Sequence, residues 1–244
     1  MNIICIIPAR LNSVRLNGKL LLPLGDKTII QHVYDNCKKV PLFSDVIIAT
    51  DNSEISSHCS QFGAKVIMTD SHHESGTDRI YEAYQKYGIS ADIIVNVQAD
   101  EPFLSATHIQ AIVEAHTYNT YDVCTGITPI KDESELYSTS VVKVVTDHND
   151  CAMYFSRAPI PCNREGFVKE SQIYKKHIGI YSYRTDVLRF FTELPQSKYE
   201  VFEKLEQLRL MEQGKKYACI ELDYDGFGID TLDDYQAALN KMNR

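Results

Sequence analysis

Short apolar runs and helical patterns take turns along the first half of the chain. The apolar runs predict four buried β-strands, at residues 3–7, 46–49, 65–68 and 93–97. The helical patterns lie between these runs, at residues 28–39, 53–62 and 78–87, and Gly88 occupies the C-cap position of the third. This order predicts β-α-β units.

Such units build an α/β fold with a mostly parallel, Rossmann-like sheet flanked by helices. In sheets of this kind, ligands bind in the crevice outside the carboxyl ends of the strands. The segments that follow residues 7, 49, 68 and 97 are therefore expected to converge on one site.

The pattern changes from about Val123, where we predict a small inserted lobe. Residues 141–145 alternate less regularly, 154–161 are extended because of two prolines, and 177–183 resemble a strand. An amphipathic helix is predicted over residues 200–213, a strand over 217–222 and a closing helix from Leu232. No Gly- or Ser-rich linker divides the chain, which favours a single domain of residues 1–244.

Composition limits the partners and the compartment. The formal net charge of -8 argues against nucleic acid and anionic membranes, although a few placed cations would serve a small anionic ligand. The seven cysteines include no C-x-x-C pair, which favours free thiols and a cytoplasmic location. The apolar N-terminus lacks the features of a signal peptide, and no apolar run is long enough for membrane insertion.

Three cations follow the first strand in close succession: Arg10, Arg15 and Lys19. A loop that leaves a buried strand can cradle a polyphosphate with its backbone N–H groups, and these cations would add charge-assisted hydrogen bonds. The loop matches neither a P-loop nor a G-x-G-x-x-G fingerprint. From spacing alone, a solvated basic loop is an equally good interpretation.

Two acidic segments also lie at strand ends. Asp100 and Glu101 follow the fourth strand, and Asp230 follows the last one. Magnesium bound to a nucleoside triphosphate commonly takes one or two carboxylates, so Asp100 and Asp230 are candidate metal ligands. The alternative for each aspartate is a turn or a helix N-cap, which is the commoner role.

A polar turn precedes the third helix, with Ser75, Gly76 and Thr77 as possible donors to a base or phosphate. Helix capping alone would explain Thr77. His72 and His73 are interpreted as loop histidines, because adjacent residues rarely direct both imidazoles to one ion.

Ten motifs occur in order along nearly the whole chain. They are Ile7-Pro8-Ala9-Arg10; Ser13 with Arg15-Leu16 and Gly18-Lys19; Ile30 to Tyr34; Ala49-Thr50-Asp51; Ser75 to Arg79; Asn96-Val97-Gln98 with Asp100-Glu101-Pro102; Tyr154 to Pro161; Lys176 to Tyr181; Leu205 to Arg209; and Gly228 to Thr231. Together they resemble the 3-deoxy-manno-octulosonate cytidylyltransferases, or CMP-Kdo synthetases.

The resemblance implies a Mg²⁺-dependent transfer of CMP from CTP to the anomeric hydroxyl of an eight-carbon acid sugar, Kdo, with release of pyrophosphate. It implies a nucleotide-binding part at about residues 1–130 and 205–244, a sugar-binding and dimerisation lobe at about 131–204, and a homodimer. The product would serve lipopolysaccharide or capsule synthesis.

The resemblance also implies roles for individual residues. The triphosphate would be held by Arg10, Arg15 and Lys19, and the cytidine would contact Ser75, Gly76 and Gln98. Pro8 and Ala9 would also belong to the nucleotide site. Magnesium would bind Asp100 and Asp230, and the sugar would contact Arg157, His177, Tyr181, Glu206 and Gln207. Lys19, Arg15 and Asp100 would be catalytic, and no general base is assigned because the metal would acidify the sugar hydroxyl.

Two positions depart from the family pattern, which usually has Pro where Asn17 stands and Gly where Ala99 stands. A methyl group at residue 99 would disturb the substrate if the backbone there approached the ligand closely or required a positive φ. Two alternatives stay open: the same reaction on 8-amino-Kdo or a sialic acid, and a nucleotide-binding regulator without turnover.

Overall fold

The computed structural model of the protein describes residues 1–11, 15–73, 75–168 and 172–242, so Ser13 of the first-loop motif lies outside the described residues. The strands are β1 (Ile3–Ala9), β2 (Pro23–Leu24), β3 (Lys27–Thr28), β4 (Asp45–Thr50), β5 (Lys65–Met68), β6 (Ile93–Val97), β7 (Val123–Pro129), β8 (Lys143–Thr146), β9 (Ala152–Ser156), β10 (Lys175–Arg184) and β11 (Tyr217–Glu221). The α-helices are α1 (Ile29–Lys38), α2 (Ser53–Gln61), α3 (Gly76–Tyr87), α4 (Ala106–Tyr118), α5 (Glu133–Tyr137), α6 (Thr185–Glu193), α7 (Lys198–Glu203), α8 (Leu208–Met211) and α9 (Leu232–Met242).

One large sheet runs through the molecule in the order β11-β7-β10-β6-β1-β4-β5. Neighbouring strands are parallel except at β10, which runs antiparallel to both β6 and β7. Strands β8 and β9 extend the sheet beside β10, and β2 and β3 form a separate hairpin. The predicted mostly parallel sheet is confirmed, and the carboxyl ends of β1, β4, β5 and β6 share one edge.

Helices cover both faces of this sheet because successive side chains of a strand point to opposite faces. In β1, Ile3, Cys5 and Ile7 join a core that includes residues of α1, α2, α4 and α9. The intervening Ile4 and Ile6 join a second core with residues of α3, α6 and α8. Every residue of β1 is therefore buried, which explains its uninterrupted apolar sequence.

The predicted elements of the first half are confirmed with small shifts of their ends. Strands β5 and β6 have the predicted bounds, and Gly88 ends α3 in the left-handed conformation with φ of 75°. Helix α3 begins two residues earlier than expected, because the Ser75 side chain, rather than Thr77, caps it. Helix α4 and strand β7 were not anticipated from the sequence.

The single amphipathic helix predicted over residues 200–213 is wrong. The chain forms α7, then Lys204 adopts a left-handed conformation with φ of 58°, and α8 follows after residues 205–207. The capping box of α7, formed by Ser197 and Glu200, starts this helix before the predicted position. Of the periodic apolar positions, Leu205 and Leu208 are buried, whereas Val201 is exposed.

The strained backbone at Lys204 generates a stability prediction. A left-handed conformation costs a residue with a Cβ about 1–2 kcal/mol, while glycine adopts it freely at an entropic cost of roughly 0.5–1 kcal/mol. Lys204→Gly is therefore expected to be at least as stable as the wild type, and Lys204→Val less stable than both, because a β-branched side chain is more crowded than lysine in this conformation. Urea unfolding measures both, with the exposed Lys198→Val as the control for losing a lysine from the same helix. Equal stability of the Gly and Val variants would contradict this account.

Candidate active site

Two adjoining cavities lie at the carboxyl edge of the sheet. The larger, of about 350 Å³, is lined by the segment after β6, the segment before β8, strand β10, the break between α7 and α8, and the chain between β11 and α9. The smaller, of about 290 Å³, shares with it Gly76, Lys204, Leu205 and Glu206. Together these volumes are of the size expected for a small-molecule site.

The centre of the site is a network of four charged side chains. The buried Lys19 ammonium donates to Asp100 Oδ2 at 2.6 Å and to Asp230 Oδ1 at 2.7 Å. Arg15 Nη2 lies 2.8 Å from the other oxygen of Asp230. The sequence assigned the cations to phosphate and the carboxylates to metal, whereas the fold places all four in contact.

Local backbone geometry brings Lys19 into this network. Gly18 has a φ of 66°, a left-handed conformation that glycine adopts without strain, and its N–H donates to Leu11 O at 3.0 Å. Lys19 then begins a short 3₁₀ turn, Lys19–Leu21. The first loop is thereby closed, and its last cation points at the ends of two distant segments.

Proximity of opposite charges sets the protonation of this network. Burial alone would lower the pKa of Lys19, but attraction by Asp100 and Asp230 raises it. Burial alone would raise the pKa of Asp230, but Lys19 and Arg15 lower it. Both groups are therefore charged at neutral pH.

The predicted nucleotide residues surround the N-terminus of α3. Arg10, Ser75 and Gly76 line the smaller cavity, and burial followed by the charge of Arg79 lowers the pKa of Arg10. A Cβ added to Gly76 would lie 3.4 Å from Pro8 Cγ and 3.7 Å from Gln98 Nε2. Pro8, Gly76 and Gln98 thus meet at one point, whereas Ala9 is fully buried.

Two other strand ends contribute to the packing beside the site. The buried Arg79 side chain donates to Asp51 Oδ2 at 3.0 Å and to Thr69 Oγ1 at 2.6 Å. Asp51 and Thr69 therefore anchor α3 and are not among the residues that line the two cavities, whereas Ser75, at the far end of the segment after β5, lines the smaller one.

All five predicted sugar residues line the larger cavity: Arg157, His177, Tyr181, Glu206 and Gln207. The break after α7 places the last two there. Glu206 accepts from Thr77 Oγ1 at 2.8 Å, and burial raises its pKa. Gln207 Oε1 accepts from Tyr181 at 3.2 Å, while its buried Nε2 has no hydrogen-bond partner within the part of the chain that the structure describes.

His177 is a neutral hydrogen-bonding group in this wall. Its Nε2 lies 2.8 Å from Thr125 Oγ1, and since that hydroxyl donates to Ile180 O, Nε2 carries the proton. Burial lowers the pKa of His177 to about 3. The imidazole therefore binds or positions, and does not carry a charge at neutral pH.

Glu101 is a cavity residue that was not assigned a role from the sequence. Its Oε2 accepts from Tyr224 at 2.7 Å, and burial followed by the charge of Asp100 raises its pKa to about 7. A Cβ added to either Gly179 or Gly228 would lie 3.3 Å from its Oε1, so both glycines leave room for this carboxyl. Its position next to Asp100 could have identified Glu101 as a site residue from the sequence. Its partner Tyr224, in the chain after β11, is marked by no such sequence signal.

Ala99 does not obstruct the site. It is buried in the core beneath the loop, and the positive-φ residues other than glycine in the described ranges are Asp150 and Lys204. The alanine therefore occupies a position whose backbone any residue adopts. Asn17 lies exposed in the turn before Gly18.

The site belongs to a nucleotidyltransferase. A family model described as Cytidylyltransferase matches residues 4–217, so the chain is a member of that family of enzymes. It is 42% identical over 98% of both chains to 3-deoxy-manno-octulosonate cytidylyltransferase from Thermodesulfovibrio yellowstonii, and 44% identical to the protein of the same name from Francisella philomiragia, covering 97% of this chain and 96% of that one. The chain therefore belongs to the 3-deoxy-manno-octulosonate cytidylyltransferases.

Solved structures agree with this placement. A structure of CMP:2-keto-3-deoxy-manno-octonic acid synthetase complexed with CTP superposes with a TM-score of 0.91 at 38% identity, covering 100% of this chain and 99% of that one. A cytidylyltransferase from Leptospira borgpetersenii shares the fold, with a TM-score of 0.67 at 18% identity, covering 100% of this chain and 87% of that one. No helix within the described ranges has the length and apolar character to cross a membrane.

The neutral state of His177 generates a prediction about acid stability. The unfolded chain takes up a proton at His177 below its ordinary pKa of 6.5, whereas the folded protein resists protonation down to about 3. As the pH is lowered from 6.5 to about 3, the free energy of unfolding should therefore decrease. His177 should contribute at most about 1.4 kcal/mol per pH unit to this decrease. Urea unfolding over this pH range measures the effect, and in His177→Gln the contribution of residue 177 to the pH dependence should be absent. The same substitution at the exposed His148 is the control, and an equal slope in all three proteins would refute the prediction.

Proposed function

We propose that this chain transfers CMP from CTP to the anomeric hydroxyl of 3-deoxy-D-manno-octulosonate (Kdo) and releases pyrophosphate. The observation that carries the proposal is the network of Lys19 with Asp100 and Asp230, whose two carboxylates line the larger, sugar-side cavity that adjoins the smaller, nucleotide-side one. The named relatives support the choice of substrates.

The nucleotide occupies the smaller cavity and its junction with the larger one. Arg10, Arg15 and Lys19 bind the triphosphate, because forked guanidinium donors and a point charge together suit its oxygens. Pro8, Ser75, Gly76 and Gln98 form the cytidine side, where the close contact of Gly76 with Pro8 and Gln98 leaves a narrow surface for a planar base. Ala9 is buried and supports this side without exposed surface of its own.

The donor set at Asp100 and Asp230 fits Mg²⁺. Their carboxylate oxygens already bracket one cationic centre, Lys19 Nζ, at 2.6 and 2.7 Å. No cluster of three or more metal-binding side chains occurs in the described ranges, which is consistent with an ion held by two carboxylates, phosphate oxygens and water. Such an ion would neutralise phosphate charge and acidify the attacking hydroxyl.

The chain itself contributes alignment and charge rather than a base. Displacement at the α-phosphorus needs the sugar hydroxyl and the departing pyrophosphate in line, which the two adjoining cavities favour. Lys19 stays protonated because its pKa is raised, and together with Arg15 it neutralises the charge that develops on pyrophosphate. Lys19, Arg15 and Asp100 are the residues to which we assign catalysis.

The sugar lies in the larger cavity, with its carboxylate at Arg157. The Arg157 guanidinium donates to the carbonyl oxygens of Thr139, Glu203 and Lys204, so its charge is available to an anion. His177, Tyr181, Glu206 and Gln207 bind the sugar hydroxyls, and the unpartnered Nε2 of Gln207 would gain an acceptor there.

We extend the proposal to the organisation of the protein. Residues of about 1–130 and 205–244 form the nucleotide-binding part, which also supplies Glu206 and Gln207 to the sugar, while those of about 131–204 carry the other sugar contacts and the interface of a homodimer. All seven cysteines are free, which supports a reducing, cytoplasmic environment. The product is destined for lipopolysaccharide or capsule synthesis.

Pyrophosphate release tests this function directly. With CTP, Mg²⁺ and Kdo, we expect pyrophosphate and CMP-Kdo in equal amounts. Kdo should be compared with 8-amino-Kdo and a sialic acid under the same conditions. Release with only another sugar would correct the substrate, and CTP binding by calorimetry without turnover on any sugar would indicate a regulator instead.

Removal of one carboxylate at the centre of the site should abolish turnover. Asp100→Asn is expected to lower kcat by roughly 100-fold or more, because it removes a metal ligand and the partner of Lys19. Asp35→Asn is the matched control, since Asp35 forms an ion pair with Lys27 outside both cavities. Circular dichroism checks that both variants fold. Near-normal activity of Asp100→Asn would show that the assignment of Asp100 as a metal ligand is wrong.

A further inference from the structure

A fully buried lysine lies behind the wall of the sugar-side cavity. Lys143 begins β8, between β9 and β10, and has no exposed surface. Its ammonium donates to three backbone carbonyl oxygens, Ser138 O at 2.8 Å, Val141 O at 2.7 Å and Arg157 O at 2.6 Å. In the described ranges, no carboxylate forms an ion pair with it.

An ammonium in this position is costly. Moving one out of water costs several kcal/mol even after relaxation, and buried charges are normally paired with an opposite charge. Carbonyl dipoles satisfy the three N–H donors of Lys143 but leave its net charge uncompensated. A methionine would fill the same space without that cost, so packing alone does not explain a lysine here.

Lys143 and Arg157 are parts of one structure. The segment of residues 138–141 accepts from Lys143 at Ser138 and Val141, and from Arg157 Nη1 at Thr139, 2.8 Å away. The Lys143 ammonium also donates a hydrogen bond to the backbone carbonyl oxygen of Arg157. The position of the Arg157 guanidinium therefore depends on the lysine behind it.

Both charges act on the same end of the larger cavity. That cavity is lined by Ser140, Val141, Val142 and Arg157, so Val141 both lines the cavity and accepts from the Lys143 ammonium. Burial, followed by the charge of Arg157, lowers the pKa of Lys143 to about 8, while Glu203 opposes the shift. An anion bound at Arg157 would relieve this repulsion between cations.

We propose that Lys143 is a positioning residue and the second positive charge of the carboxylate subsite, selecting an acid sugar over a neutral one. Arg157 contacts the carboxylate, and Lys143 holds Arg157 in position. The positive charge of Lys143 also attracts a negatively charged carboxylate, but not a neutral group in its place. This inference rests on the proposed function and deepens it.

The test compares Kdo with its C1 carboxamide, which keeps the hydroxyls but lacks the charge. Lys143→Met should raise KM for Kdo about tenfold, the scale of one partly screened charge contact, and leave KM for CTP within about twofold. The carboxamide, assayed as an inhibitor competing with Kdo, should bind both proteins within about twofold. Lys175→Met, on neighbouring β10 and paired with the exposed Glu221, is the control for lost net charge.

The wild type provides a second test that does not depend on folding of the variant. The charged groups that face Lys143 are Arg157, Glu203 and, from β10, Lys176 with its partner Glu135. Because Lys143 loses its proton above about pH 8 in the free protein, KM for Kdo should rise above that pH. The inhibition constant of the carboxamide and KM for CTP should not follow the same rise.

The outcomes separate two failures. If the wild type releases no pyrophosphate with any acid sugar, the proposed function is wrong. If the wild type does release pyrophosphate, the effect of Lys143→Met on binding decides the inference. Equal weakening of Kdo and carboxamide binding, or no weakening of either, would mean that Lys143 is a structural residue only and would overturn this inference. A flat KM for Kdo up to pH 9.5, roughly 1.5 units above the pKa of about 8, would overturn it as well.

Discussion

The ammonium of Lys19 holds three distant parts of the chain at one point. Its two carboxylate partners lie 81 and 211 residues away in sequence, at the ends of two different strand segments. Asp100 and Asp230 would repel each other without a cation between them. This buried charge joins the first loop to the end of β6 and to the chain before α9, and the Ile229 N–H, which donates to Asp100 O at 2.9 Å, joins the last two directly. Asp100 and Asp230 line the larger cavity at this point.

The sugar-side cavity uses positive charge in a different way. Lys19 is compensated by carboxylates, whereas Arg157 and Lys143 donate to backbone carbonyls, which satisfy hydrogen bonds without cancelling charge. A protein with a formal net charge of -8 can in this way keep a local excess of positive charge. The net charge therefore predicts little about this ligand. Inside the cavity, the electrostatic potential of a few nearby cations outweighs that of distant charges on the protein surface.

The break between α7 and α8 shows how packing overrides a helical pattern. Arg209 in α8 donates to Glu200 in α7 at 2.6 and 2.8 Å, so a buried ion pair joins the two pieces across the break. Because the pair fixes both helices, the left-handed Lys204 is held in place despite its strain. The residues between the pieces, Glu206 and Gln207, are thereby turned into the cavity.

Local pattern alone determined the alternation of strands and helices up to β6, the sheet class and the edge of the sheet at which Arg10, Gln98 and Asp100 lie, because buried strands have a distinctive apolar run and their ends share one edge. The motifs determined the family. Only the tertiary structure decided that Lys19 pairs with Asp100 and Asp230, that α7 stops at Lys204, and that Lys143 lies behind Arg157. Those features depend on contacts between residues far apart in sequence and on burial, and neither periodicity nor composition encodes such distances.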